Sequence, residues 1–443
     1  MYRYSFQSRL GARLLTLLLA GSIAGGLIGC EDATQEDTKP EPTAPGEVRS
    51  DKQRVANPDV AQSARDALVA GNTEFALDLY KKIAEEDKNL FYSPFSISEA
   101  LAMTYAGARG ETASQMAETL HFNSKQGLVH PAFNWLDAHL MDLGETPVLE
   151  DSSPFELAVA NSIWGQIDYA FETNFLDTLA LNYGAGLNTL DFAAAPEQSR
   201  QTINGWVEAQ TNDRIKDLIP EQMITTDTKM VLTNAIFFKA SWLNPFQEEM
   251  TIEGDFTRRD GSTVSAQMMR QTTGFMHAQM DGFQAVSLPY DGGDVSMLVI
   301  LPEDIEAFEA ELDADTLADT VAAMESTTVH LTLPKFEYTL PLTLSEVLPE
   351  LGMPLAFSDN ADFSGMSTTS QLRIAEVVHK AFVAVDESGT EAAAATAVIM
   401  EDTAAPVDPI EFKADKPFIF MIRANQTGSL LFVGRVSDPS ASN

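Results

Sequence analysis

An α+β fold with large, mostly antiparallel sheets is what the sequence predicts, and three observations carry it. Apolar residues recur at helical spacing through much of the first half. Long β-rich runs dominate the second half. No repeat or linker interrupts the chain after residue 60, so residues 61–443 read as one domain.

From Ala61 onward Ala64, Leu68, Phe75, Leu79 and Ile83 fall on one helical face, predicting a helix that ends near Glu86. Leu90 to Tyr92 is a short apolar strand, punctuated by Ser93-Pro94. A helix from about Ser96 buries Leu101, Ala102 and Tyr105. Gly107 to Gly110 stops it, and Thr112 is expected to cap the helix that carries Met116 and Leu120. Phe155 to Trp164 reads as a buried strand, and Phe171 to Tyr183 and Ser199 to Thr211 as helices.

Lys229 to Lys239 is a long β-rich run broken by one polar pair, Thr233-Asn234. A buried asparagine is expected to hydrogen-bond, because an unpaired amide costs of order 1–3 kcal/mol. Val286 to Tyr290, Val295 to Leu301 and Thr328 to Tyr338 follow as strands, and Leu344 to Leu351 as a helix. Residues 418 to 435 form two apolar strands around a polar turn, a hairpin pattern.

Residues 379–405 stand apart. Lys380 to Val385 alternates as a strand does; Gly389 breaks it, and Ala392 to Ala395 follow. The run lacks the turn residues of a surface loop and the apolar face of a fixed helix. It reads as a segment able to be loop or strand.

Composition narrows the function. Of 443 residues 44% are hydrophobic and 21% charged, enough for a large core. A net charge of −37 argues against nucleic acid and against docking on anionic lipid by charge. Hydrolase, zinc-protease, phosphate-loop and dinucleotide motifs are absent, and no histidine sits at metal-ligand spacing, so no enzyme, metal or cofactor is expected.

The lone cysteine, Cys30, excludes an internal disulfide. Arg3, Arg9 and Arg13 precede an apolar run from Leu14 to Ile28, too short to span a bilayer comfortably. Leu27-Ile28-Gly29-Cys30 resembles the lipobox of bacterial lipoproteins, which implies a signal peptide over 1–29 and lipidation at Cys30. The expected location is the cell envelope (outer membrane, periplasm or cell surface), or outside the cell if the lipobox is not used. Residues 30–60, rich in Asp, Glu, Thr and Pro, read as a disordered acidic tether.

Four separated stretches together resemble the serpins, protease inhibitors that work by loop insertion. They are Asn89-Leu-Phe-Tyr-Ser-Pro-Phe-Ser-Ile-Ser-Glu-Ala-Leu-Ala-Met, Leu232-Thr-Asn-Ala-Ile-Phe-Phe-Lys-Ala-Ser-Trp, Glu387-Ser-Gly-Thr-Glu-Ala-Ala-Ala-Ala-Thr and Phe412-Lys-Ala-Asp-Lys-Pro-Phe-Ile-Phe-Met-Ile. The resemblance runs from about Ala64 to Pro439. It implies three β-sheets, eight or nine helices and an exposed reactive-centre loop that a protease attacks as substrate. The cleaved loop then enters the central sheet as a new strand.

By family spacing, fifteen residues from the hinge residue Gly389 end at the scissile bond, Thr403–Ala404. Thr390, Ala392, Ala394, Thr396 and Val398 would face the interior after insertion, with Glu391 on the solvent face. All five inward residues are small or apolar; a charge there would cost several kcal/mol. Fifteen residues at roughly 3.3 Å each would carry a protease roughly 50 Å along the sheet. The resemblance also implies that Ser93, Ser96, Asn234 and His379 control sheet opening. It places Trp242 and a Lys335–Glu387 ion pair at the top of the sheet.

Thr403 before the bond suggests an elastase-like or subtilisin-like serine protease, with a cysteine protease as a further target. A slip to Met400, Ala404 or Ala405 stays open, and Met400 would suit chymotrypsin- or elastase-like enzymes. With no Arg or Lys in the loop, a trypsin-like target is not expected. The expected inhibitor is a monomer; the alternative is a non-inhibitory serpin-fold binding protein.

Overall fold

The computed structural model describes residues 46–143, 155–391 and 408–441. The chain opens with β1 (Glu47–Val48) and a long helix α1 (Gln62–Ile83), then β2 (Leu90–Tyr92). Helices α2 (Pro94–Tyr105), α3 (Gly110–Thr119) and α4 (Gln126–Met141) follow. Next come β3 (Glu156–Gln166), α5 (Thr173–Tyr183), β4 (Leu187–Leu190), α6 (Pro196–Gln210) and β5 (Met230–Ser241).

From there strands dominate: β6 (Ile252–Thr257), β7 (Thr263–Met280), β8 (Phe283–Pro289) and β9 (Val295–Pro302). Two short helices, α7 (Ile305–Glu311) and α8 (Ala314–Ala322), lead to β10 (Glu325–Pro334) and β11 (Phe336–Thr343). Then follow α9 (Val347–Leu351), β12 (Glu376–Val385), β13 (Gly389–Thr390), β14 (Ile410–Lys413), β15 (Phe418–Ala424) and β16 (Leu430–Val436). Nine α-helices are thus present among the described residues, in an α+β arrangement.

The strands join into two hydrogen-bonded sheets. The first has the order β1-β4-β3-β5-β13-β12-β11. The second runs β14-β10-β7-β8-β9-β15-β16-β2, with β6 also on β7. The three expected sheets resolve as two ladders because β7 is 18 residues long. It pairs with β6 and β10 over most of its length and with β8 from Met276 to Met280, fusing two sheets into one.

Both faces of the first sheet are covered. On one face α6 sets Ile203, Trp206 and Val207 against Trp164, Val231, Ala235 and Val378. The other face enters the main core with α2, whose twelve residues are all buried. That double burial explains why β5 is nearly continuous in apolar residues rather than alternating.

Several expectations need correction. The run from Thr328 to Tyr338 is two strands, β10 and β11, in different sheets, with Lys335 at the crossing. Thr112 is not a cap: Arg109 precedes α3, and the Thr112 hydroxyl accepts the Asp362 amide at 2.9 Å. Residues 46–60, expected within a disordered tether, lie against the domain. Glu47 and Val48 pair with Asn188 and Leu187, and the Val55 amide donates to Leu181 O at 2.9 Å. The open edge of β4 supplies the backbone partners that composition alone did not reveal.

Candidate functional site: the opening of the first sheet

Three polar residues lie on one rung across three adjacent strands. Asn161 of β3 faces Asn234 of β5, and Asn234 faces His379 of β12. Beneath them the chain enters α2, where Ser93 caps the helix by accepting the Ser96 amide at 3.2 Å.

The hydrogen bonds of this cluster fix one tautomer. His379 is fully buried, and burial pushes its pKa down to about 3, so the ring is neutral. Nε2 accepts the Ser93 amide at 3.3 Å, which leaves Nδ1–H to donate to Asn234 Oδ1. The Asn234 amide donates to Ser96 Oγ and to Asn161 Oδ1. Asn161 in turn donates to Ser96 O at 3.1 Å and to Glu99 Oε2 at 2.8 Å. Ser93, Ser96, Asn234 and His379 are therefore brought together, and Asn161 and Glu99 join them. An amide in the apolar run 155–164 was the available signal for Asn161.

Above this rung the sheet changes. From Glu376 to Ala381, β12 pairs in parallel directly with β5. Higher up, Gly389 and Thr390 sit between them: Gly389 opposes Ser241, and Thr390 opposes both Ala240 and Val385. The hinge is thus not exposed but already forms a two-residue strand. Thr390 is 1% exposed, and its hydroxyl lies 2.7 Å from that of Tyr290. A Cβ on Gly389 would fall 2.1 Å from Ala240 O, so only glycine fits so close to the β5 backbone.

The turn into this wedge is tied from several sides. Asp386 accepts the amides of Ser388 and Gly389 at 2.8 and 3.2 Å. Trp242 stacks on Tyr290 with ring centroids 4.5 Å apart and donates Nε1–H to Asp386 O at 3.0 Å. Lys335 meets Glu387 at 2.5 Å, and the Thr251 hydroxyl donates to the same carboxylate at 2.7 Å. Burial pushes Glu387 up, but Lys335 and Thr251 outweigh it and hold the carboxyl below its usual value. Trp242, Lys335 and Glu387 thus lie together beside the wedge, joined there by Tyr290 and Asp386.

Glu391 turns out of the wedge just after β13. Its amide donates to Ala384 O at 2.9 Å, but a φ of 49° turns it, and its carboxylate meets Arg214 at 2.5 Å. The side chain is nearly buried; the solvent face expected for it belongs to the inserted strand. Ala392, Ala394, Thr396, Val398, Met400, Thr403, Ala404 and Cys30 lie outside the described residues.

The first sheet is thus closed below and parted above by Gly389 and Thr390, within an α+β fold of two extended sheets. The family model "Serpin (serine protease inhibitor)" matches residues 70–439, and the chain belongs to the serpin family. The human leukocyte elastase inhibitor is 39% identical over 389 residues, covering 84% of this chain and all of the relative. An uncharacterised serpin-like protein of Thermococcus kodakarensis is 37% identical over 431 residues, covering 96% of this chain and 98% of its own. Among solved structures, the native state of the thermophilic serpin tengpin superimposes with a TM-score of 0.77 at 28% identity. It covers 88% of this chain and 97% of its own.

Proposed function

We propose that this serpin inhibits serine proteases outside the cytoplasm as a suicide substrate. Its loop is cleaved at Thr403–Ala404, inserts between β5 and β12, and drags the acylated protease with it. The observation that carries the reading is the wedge of Gly389 and Thr390 at the top of a slot still closed below. The residues that would follow them inward, Ala392, Ala394, Thr396 and Val398, are small or apolar. Such side chains enter a covered sheet without a buried-charge penalty.

The chemistry balances as acyl transfer. The protease serine attacks the Thr403 carbonyl, the Thr403–Ala404 bond breaks, and Ala404 leaves as an amine carrying the proton. Insertion before hydrolysis of the ester traps the enzyme. Elastase-like and subtilisin-like proteases suit Thr403, and a name such as leukocyte elastase inhibitor among the relatives agrees with the first. Cys30 carries the lipid that holds the protein at the cell envelope.

Incubation of the full chain in detergent with elastase, subtilisin, chymotrypsin and trypsin tests the reading. A covalent band stable in denaturing gels is expected with at least one of the first three. Cleavage within 389–405 with no such band across a broad panel would instead assign a non-inhibitory binding role.

A further inference from the structure

Residues 46–55, which precede the stretch matched by the family model, connect two parts of the molecule. At one end β1 extends the first sheet beyond β4, and Gly46 O accepts the Thr189 amide at 3.0 Å. At the other end the strap reaches α5 and α4. Lys52 meets Asp177 at 2.6 Å, and Arg54 inserts its guanidinium between Asn134 and Asp137 at 2.6 and 2.5 Å. Asn134 returns a bond to Val55 O at 2.8 Å.

Arg54 meets the buried Asp137, and a second buried carboxyl, Glu99, feels both charges. Asp137 and Glu99 are 8% and 7% exposed, and Glu99 holds Asn161, the β3 member of the opening cluster. Burial and the Asp137 charge push the Glu99 carboxyl up, while Arg54 and Asn161 oppose them. Burial likewise raises Asp137 against the pull of Arg54. The strap's guanidinium thus contacts Asp137 and by its charge favours the ionised form of Glu99, which holds Asn161 of β3.

The direction of movement follows from the ladders. Admitting a strand between β5 and β12 breaks their direct pairing but leaves the long β3–β5 ladder intact. So β1, β4, β3 and β5 shift together, away from β12 and across α2. The strap ties the outer edge of that moving half to α4 and α5.

We propose that Arg54 is a positioning residue for sheet opening: balancing Asp137, it holds Glu99 where it grips Asn161 and so restrains β3 and β5 from sliding away from β12. This rests on the insertion mechanism proposed above. Removing one partner of a buried charge pair leaves the other uncompensated and weakens the closed state.

The test uses the full chain and a labelled synthetic peptide with the sequence of residues 390–402, whose uptake as a strand reports sheet opening. Arg54→Met is expected to take up peptide about tenfold faster or more, and Arg54→Lys to stay near the parent rate. Met421→Ala, a core cavity in β15 of the other sheet, is expected to stay near the parent despite lost stability. In a Glu99→Gln background the Arg54→Met effect should shrink to about threefold or less, because the two residues act as a unit. If Arg54→Met does not fold, Arg54→Gln carries the same comparisons.

Equal uptake by Arg54→Met and the parent, equal acceleration by Met421→Ala, or an undiminished effect in the Glu99→Gln background would each overturn the proposal. A parent that traps a protease but shows no Arg54 effect overturns this proposal alone. A parent that neither traps a protease nor takes up peptide overturns the insertion mechanism with it.

Discussion

Asn234 and His379 face each other across the parallel β5–β12 ladder, in the stretch that the proposed insertion would have to separate. Their hydrogen bond is buried and tautomer-specific. Above it the same two strands are already parted by Gly389 and Thr390. The sheet is therefore a seam opened at one end and closed below by a six-residue parallel ladder that carries this buried polar rung.

That fastening carries a pH signature. His379 titrates at about 3 in the folded protein against about 6.5 when free. Between these values the unfolded chain binds a proton that the folded chain does not. Stability from this group is fully present above about pH 6.5 and is lost as pH falls towards 3, at most about 1.4 kcal/mol per pH unit. Urea unfolding between pH 4 and 7 should show a flatter dependence in His379→Gln than in the parent. At pH 7 the variant should be weaker by about 1–3 kcal/mol. Parallel curves would place the titration elsewhere.

Thr390→Arg should turn the inhibitor into a substrate. The position is buried against Tyr290, and a guanidinium there would cost several kcal/mol, slowing insertion below ester hydrolysis. Gels should show cleaved chain replacing covalent complex. Undiminished complex formation would contradict the inward placement of residue 390.

Gly389→Ala should expel the wedge without unfolding the domain. The added Cβ would meet the Ala240 carbonyl at 2.1 Å, in a backbone conformation that costs L-residues of order 1–3 kcal/mol. Hydrogen exchange at the amides of Trp242 and Phe246, which donate to Ser388 O and Glu387 O, should quicken. Unchanged protection at both would mean that the hinge stays in place.

Much of this architecture was legible in the chain because chemistry and position coincide there. Asn234 in an apolar run is odd enough to demand a partner, and it has one in His379. What stayed hidden depends on contacts between distant segments. Lys335 divides one strand-like run between two sheets, and buried residues (Leu333 before it, Phe336 and Tyr338 after it) flank it on both sides, so the local pattern does not mark the crossing. The contact between Glu391 and Arg214 joins segments far apart in sequence, which no local pattern reveals. The strap around Arg54 has a tether's composition, and it is the β4 edge, Asn134, Asp137 and Asp177 that give it a place.

Cys30→Ser should move the protein from the membrane fraction to the soluble fraction of the producing cell. Retention in the membrane fraction would remove the lipid anchor from the account.

The most direct measurement follows the loop after cleavage. The full chain, nicked at Thr403–Ala404 by a protease that releases it, is compared with the intact chain by thermal unfolding and hydrogen exchange. Insertion predicts a large rise in unfolding temperature, with new amide protection over residues 392–398 and in facing stretches of β5 and β12. An unchanged unfolding temperature, with residues 392–398 still exchanging freely, would contradict insertion and with it the inhibitory mechanism.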